Sequence, residues 1–159
     1  MDRNPQPASG RLQGAAHLFP VRVYYEDTDL SGIVYHANYL KFMERARSDL
    51  LALLGIDQRA AIEAGEGAYA VADVTLAFRS PARLDDALLV ETQVLDLRAA
   101  SVRLQQRIRR DDTVLSDATI RVGFLAPSGR PRPQPARWRT VFKSFADQTF
   151  SQGAPEGTA

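Results

Sequence analysis

The chain has 159 residues, 45% of them hydrophobic and 25% charged, with a formal net charge of +1. That is the size and balance of one ordinary globular domain, and it argues against fibrous, disordered, membrane-spanning and dedicated nucleic-acid-binding classes. There are no cysteines and two histidines, His17 and His36, so disulfides, thiolate metal sites and cysteine nucleophiles are ruled out, and neither a metal nor another cofactor is expected.

Residues 1–16 are rich in Pro, Gly, Gln and Ser without periodicity and predict a poorly ordered segment. They hold no apolar run of signal-peptide length, and nothing later approaches a membrane span, so a cytoplasmic location is expected. Leu18–Tyr25 reads as a first strand, ending in the polar stretch Glu26-Asp27-Thr28-Asp29 and then Ser31-Gly32, which suits a loop. From Asn38 to Leu54 the apolar residues Tyr39, Phe42, Met43, Ala46, Leu50, Leu53 and Leu54 fall at the spacing of one buried helical stripe, with Asn38 as N-cap and Gly55 as C′ residue.

The rest alternates with period two. Ala70, Ala72, Val74, Leu76 and Phe78 share one face of a second strand, and Leu88, Val90, Thr92 and Val94 one face of a third. Val102, Leu104, Gln106 and Ile108 alternate with polar residues, and Val114 to Phe124 resume the pattern after Asp111-Asp112. Short connections favour an antiparallel meander covered on one face by the helix, in the order β-α-β-β-β-β. Pro127, Pro131, Pro133 and Pro135 stop the sheet, and Ala136–Phe145 predicts a short terminal helix. A single α+β domain over 17–145 is expected, with a poorly ordered tail over 146–159.

The densest polar constellation is Tyr24 to Gly32, directly ahead of Ile33-Val34-Tyr35-His36-Ala37-Asn38. By composition it reads equally as a solvated turn whose Asp and Thr side chains satisfy backbone amides. The run VRVYYEDTDLSGIVYHANYLKFMERAR, Val21 to Arg47, however, resembles the signature of hotdog-fold thioesterases of the 4-hydroxybenzoyl-CoA thioesterase class, and within it most resembles the Tol-Pal system-associated acyl-CoA thioesterases. The likeness runs more weakly over about residues 20 to 127.

That resemblance implies a long central helix wrapped by a five-stranded antiparallel sheet, a homodimer or homotetramer with sites shared across the dimer interface, and an acyl-CoA or acyl carrier protein thioester as substrate. It is compatible with peripheral association with the inner membrane. Asp29 matches the catalytic carboxylate, either general base for water or nucleophile, and His36 matches the helix start, whose main-chain N–H is the implied oxyanion donor. Tyr25, Gly32, Tyr35, Arg83, Arg98 and Ser101 are assigned to substrate binding, Arg98 and Ser101 matching a region that contacts CoA. Glu44 is the alternative catalytic carboxylate, although its i,i+3 spacing to Arg47 also suits an ordinary ion pair. Ser31 departs from a glycine often found there. The rival from another class is a non-catalytic hotdog module that binds an acyl carrier or protein partner. A hydroxyacyl dehydratase, a serine hydrolase and an RNA binder are weaker, the last two for want of a G-x-S-x-G elbow or a recognition motif.

Overall fold

A computed structural model describes residues 3–151. The elements run β1 (Arg11–Gln13), β2 (Ala16–Arg22), a single 3-10 turn (Tyr25–Asp27), α1 (Asn38–Leu53), α2 (Gln58–Glu63), β3 (Ala68–Phe78), β4 (Ala87–Leu97), β5 (Ser101–Arg110), β6 (Thr113–Leu125) and α3 (Ala136–Ser151). All six strands form one antiparallel sheet in the order β1-β2-β4-β5-β6-β3.

This is the hotdog arrangement with two corrections to the expected five strands around one long helix. The sheet has six strands, and its helical cover is shared between α1 and α3, each of 16 residues. Phe42, Met43, Ala46 and Leu50 of α1 and Trp138, Phe142 and Phe145 of α3 are buried with the inward residues of the sheet. The apolar stripe of α1 ends differently from its prediction, with Leu51 buried and Leu53 41% exposed, while Leu54 and Ile56 still pack on the core. Asn38 is the first helical residue and not its cap; its Nδ2 donates to Asp27 O at 2.9 Å instead. Gly55 follows the C-cap Leu54 with φ +76°. α3 continues to Ser151, so the expected unstructured tail is corrected as far as that residue; residues 152–159 lie outside the described part.

The sixth strand comes from the segment expected to be unstructured. His17 is fully buried and its Nε2 lies 2.7 Å from Asp49 Oδ2 on α1. The same carboxylate accepts the Ser9 hydroxyl at 2.7 Å and the Gly10 N–H at 2.9 Å. Gly10 is required there, since a Cβ would stand 2.3 Å from Leu18 O and 2.8 Å from His17 Nε2. One carboxylate 39 residues away in sequence from Gly10 therefore ties down a strand that local composition does not favour.

β3 is an edge strand with a bulge between Val71 and Asp73. Opposed residues of an antiparallel pair share a face, so the pairing with Phe124, Val122, Ile120, Ala118 and Ser116 puts Tyr69, Val71, Val74, Leu76 and Phe78 on the helix-facing side. The bulge corrects the predicted alternation by moving Ala70 off that face and Val71 onto it. Val71, Val74 and Phe78 nevertheless remain 48%, 37% and 53% exposed, although Tyr39 of α1 packs 5.5 Å from the Phe78 ring.

The Asp49 knot yields a stability expectation. Burial pushes its carboxyl pKa up, but hydrogen bonds from His17, Ser9 and Gly10 outweigh this and hold it below the ordinary value. A depressed folded-state pKa contributes stability that is present above the ordinary carboxylate range and is lost as pH falls through the depressed value. Asp49→Ala should cost about 1–3 kcal/mol in denaturant unfolding at neutral pH by leaving buried donors unpaired, and should accelerate amide exchange in Arg11–Gln13. Unchanged exchange there would show that the strand is held by something else.

Candidate active site

The loop between β2 and α1 is fixed by backbone before any catalytic group is considered. Thr28 bridges Val34, and Ile33 bridges Arg83. Asp29 N–H donates to Ile33 O at 3.0 Å and Gly32 N–H to Asp29 O at 3.0 Å, a tight turn that needs Gly32 at φ +81°. Thr28 Oγ1 donates to Tyr25 O at 2.8 Å, and the Asp27 carboxylate accepts the Tyr24 N–H at 2.8 Å. Asp27 is thereby engaged as a turn residue, while Asp29 remains exposed.

Asp29 is held by one oxygen. Its Oδ1 accepts both the Ser31 hydroxyl and the Ser31 N–H, the latter at 2.8 Å, and Oδ2 has no hydrogen-bond partner among the described residues. The Ser31 hydroxyl first, then its N–H, and to a smaller degree the neighbouring His36, keep the Asp29 carboxyl below its ordinary pKa against a weak opposing effect of burial. Asp29 is thus an ionised carboxylate with one fixed and one available oxygen. It opens onto a broad cavity of about 570 Å³ lined by Tyr25, Thr28, Asp29, Leu30, Gly32 and Leu84.

α1 starts without a side-chain cap, and backbone carbonyls take part of its first turn, Asn38 N–H donating to Tyr35 O at 2.9 Å and Leu40 N–H to Ala37 O at 3.2 Å. Tyr35 N–H is taken by Asp27 O at 2.9 Å, whereas no acceptor among the described residues takes the His36 N–H. The His36 ring packs 4.5 Å from the Tyr35 centroid and 6.4 Å, edge-on, from Phe78.

Of the residues singled out from sequence, Tyr25, Asp29 and Gly32 line one cavity, and Tyr35 and His36 lie just ahead of α1, before its N-cap Ala37. Arg83 pairs with the loop through its backbone while its N–H is held by Asp86 Oδ2 at 2.8 Å. Arg98 and Ser101 are not brought to this place. They lie in the β4–β5 turn, at the other end of a strand 11 residues long, on the order of 30 Å away at ~3.3 Å per residue. There Arg98 pairs with Asp96 at 2.8 Å and shares a cleft with Ser101, Arg103 and Arg121. Glu44 lines a different cavity together with Arg47, and no Glu44–Arg47 ion pair forms. Among the described residues no cluster of three or more His, Asp or Glu side chains could hold a metal ion, and no helix is long and apolar enough to cross a membrane.

Ser31 is the site residue whose role sequence reasoning missed, although Asp-x-Ser is a recognisable side-chain-to-backbone turn pattern. Leu84, on the cavity wall, carried no signal.

The thioesterase superfamily model matches residues 31–116, more than half of the chain. The chain belongs to the thioesterase superfamily. It is 45% identical over 107 residues to the acyl-CoA thioesterase YbgC of Haemophilus influenzae, covering 67% of this chain and 79% of that one. It is 40% identical over 127 residues to the acyl-CoA thioester hydrolase YbgC of Escherichia coli, covering 79% and 94%. In three dimensions it matches Slr0204, a 1,4-dihydroxy-2-naphthoyl-CoA thioesterase from Synechocystis, with a TM-score of 0.75 at 24% identity over 80% of this chain and 96% of that one, a likeness of fold. Membership of this superfamily makes the protein a thioester hydrolase and sets aside the non-catalytic binding module.

The two Ser31 bonds give a direct test. Ser31→Gly removes the stronger one, so the Asp29 carboxyl titration, followed by carbon NMR, should move up towards the ordinary carboxylate value. An unmoved midpoint would assign the depression to another cause.

Proposed function

We propose that this superfamily member hydrolyses acyl-CoA thioesters with Asp29 as its working carboxylate and the uncapped start of α1 as the oxyanion site. The observation that carries this reading is the asymmetry of Asp29, with Oδ1 fixed by Ser31 and Oδ2 available beside an unclaimed His36 N–H. In the general-base form, Asp29 takes a proton from water as the water oxygen bonds to the thioester carbon. Negative charge moves to the former carbonyl oxygen, where the His36 N–H and the positive end of the helix dipole stabilise it. Collapse restores the carbonyl, the C–S bond breaks, and the thiolate takes the proton back. In the nucleophilic form, Oδ2 bonds to the carbon as the C–S bond breaks and the thiolate leaves, and water then cleaves the mixed anhydride to the free acid and the Asp29 carboxylate; the same residues serve both. The names of the YbgC relatives support CoA as the thiol, with acyl carrier protein as the alternative carrier.

The working form is a pair of chains joined along β3. This edge strand offers an unpaired row of backbone groups and the half-exposed Val71, Val74 and Phe78 on its helix-facing side, with Tyr35 and Leu40 also exposed nearby in the fold. Two such strands pairing antiparallel about a twofold axis lay the Ala68 end of one beside the Phe78 end of the other. Phe78 contacts His36, so the pairing carries each Asp29 loop towards the partner's β4–β5 turn. Arg98 and Ser101, remote within one chain, then face a nucleotide bound at the other.

Thiol release from a panel of short, long and aromatic acyl-CoAs tests the chemistry. Asp29→Asn should lower kcat by about 10²–10⁴-fold, and Glu44→Gln by much less. The reverse ranking would move the reaction to the helix carboxylate. Val74→Asp, placing a charge on the joining face, should shift the protein to monomer in light scattering and lower its turnover. A monomeric wild type would overturn the paired arrangement.

A further inference from the structure

A second cavity, of about 220 Å³, opens between α1, β3 and the inner face of the sheet, away from the Asp29 loop of the same chain. Its walls are largely apolar, including Leu51, Val71 and Leu104, and its polar liners include Arg47, Glu44 and Tyr69. A cavity of roughly 150 Å³ is enough to bind benzene, so this one has room for a single ring or a medium aliphatic chain.

Arg47 is the unusual wall. It is half-buried, and Nη1 donates to Gln106 Oε1 at 2.8 Å. Gln106 is fully buried and spends its amide on Met43 O at 3.0 Å and Thr92 Oγ1 at 2.9 Å, which fixes the guanidinium from behind. Among the described residues no carboxylate lies within ion-pair distance of Arg47, in contrast to seven other arginines that do pair. Burial pulls its pKa below the ordinary arginine value, only partly offset by Glu44. Tyr69 is already engaged, its hydroxyl donating to Gln134 Oε1 at 2.5 Å, and Glu44 is exposed. The guanidinium is thus a positioned, partly desolvated cation on an apolar cavity, and a planar carboxylate is the group that matches its fork.

The cavity sits at the Ala68–Val71 end of β3, and the catalytic loop sits at the Phe78 end. Antiparallel pairing of two edge strands therefore brings the cavity of one chain up to the Asp29 loop of the other. We infer that this cavity receives the far end of the acyl group whose thioester lies at the partner's Asp29, and that Arg47 selects acyl groups ending in a carboxylate. This rests on the thioesterase and pairing readings above. The substrate class it names is the mono-thioester of a medium-chain dicarboxylic acid.

The test compares length-matched plain and ω-carboxy acyl-CoAs. In wild type, kcat/KM should favour the ω-carboxy member by roughly ten- to hundredfold at the length that reaches Arg47, the range of a charge-assisted pair. Arg47→Met should abolish the preference and Arg47→Lys should keep part of it. Absence of preference at every length, or its survival in folded Arg47→Met, overturns the proposal. A mixed pair of one Asp29→Asn chain and one Arg47→Met chain contains one complete site if the cavity serves the partner, and should show the wild-type preference; loss of preference in that pair overturns the shared arrangement. Calorimetric binding of octanoate, whose own carboxylate can reach Arg47, gives a readout independent of turnover. It should weaken about tenfold or more in Arg47→Met, and no binding to wild type counts against the cavity. Turnover of no acyl-CoA together with Arg47-dependent octanoate binding would sink the hydrolase substrate reading and leave the ligand site standing.

Discussion

Everything at the active end of the molecule hangs from Ala82. This residue is fully buried, its carbonyl accepts the Val34 N–H at 2.9 Å, and its own N–H donates to the Tyr39 hydroxyl at 3.0 Å. One peptide segment, two residues beyond Ser80 and five before β4, thereby pins the end of the Asp29 loop and the first turn of α1 to the same point of the β3–β4 connection. Neighbouring ties from Arg83 to Ile33 and from Arg110 to Asp86, the latter at 2.6 Å, brace that segment in turn. A carboxylate on a loop is ordinarily a poorly placed catalyst, since orientation within a fraction of an ångström governs rate. Here the loop is tied to the sheet, and Asp29 can be exposed without being loosely held.

The sequence made some of this legible for physical reasons that differ from element to element. α1 and the four long strands could be read because half-buried elements repeat their apolar residues at 3.6 or 2 positions, and packing enforces those periods. The roles proposed for Asp29 and the helix start rest on the likeness of the Val21–Arg47 run, because composition alone does not separate a catalytic turn from a solvated one. What escaped reading depended on partners distant in the chain. The strand at Arg11–Gln13 exists through Asp49, and no local window contains both. The bulge at Ala72 leaves no trace in an apolar pattern that looks regular on either side of it. Arg47 and Gln106, 59 positions apart, read separately as a surface arginine and a polar interruption of a strand, whereas together they form one buried fixture.

The separation of Arg98 and Ser101 from Asp29 carries its own lesson. Sequence likeness assigns residues to a function without stating whether one chain holds them all together. A strand on the order of 30 Å long stands between these groups, and no side-chain movement closes that distance. In the pairing proposed along β3, a second chain's antiparallel edge returns the far end of one strand to the near end of the other.

The two margins of the sheet are treated very differently. β1 pairs with Arg11↔Leu18 to Gln13↔Ala16, and Pro20 lies just beyond in β2, where it offers no N–H. That margin is shielded for its first half and stripped of a donor in its second. β3 has neither protection. A sheet open on both sides can accept subunits head to tail without end, and the product is a fibre. With that margin blunted by an edge strand of only three residues, the pairing proposed through β3 would join like to like across a twofold axis and stop after a single addition. In that proposed arrangement the short N-terminal strand, small as its own contribution to the core is, would act as a chain terminator for polymerisation, and deleting it would expose the protein to runaway edge-to-edge growth.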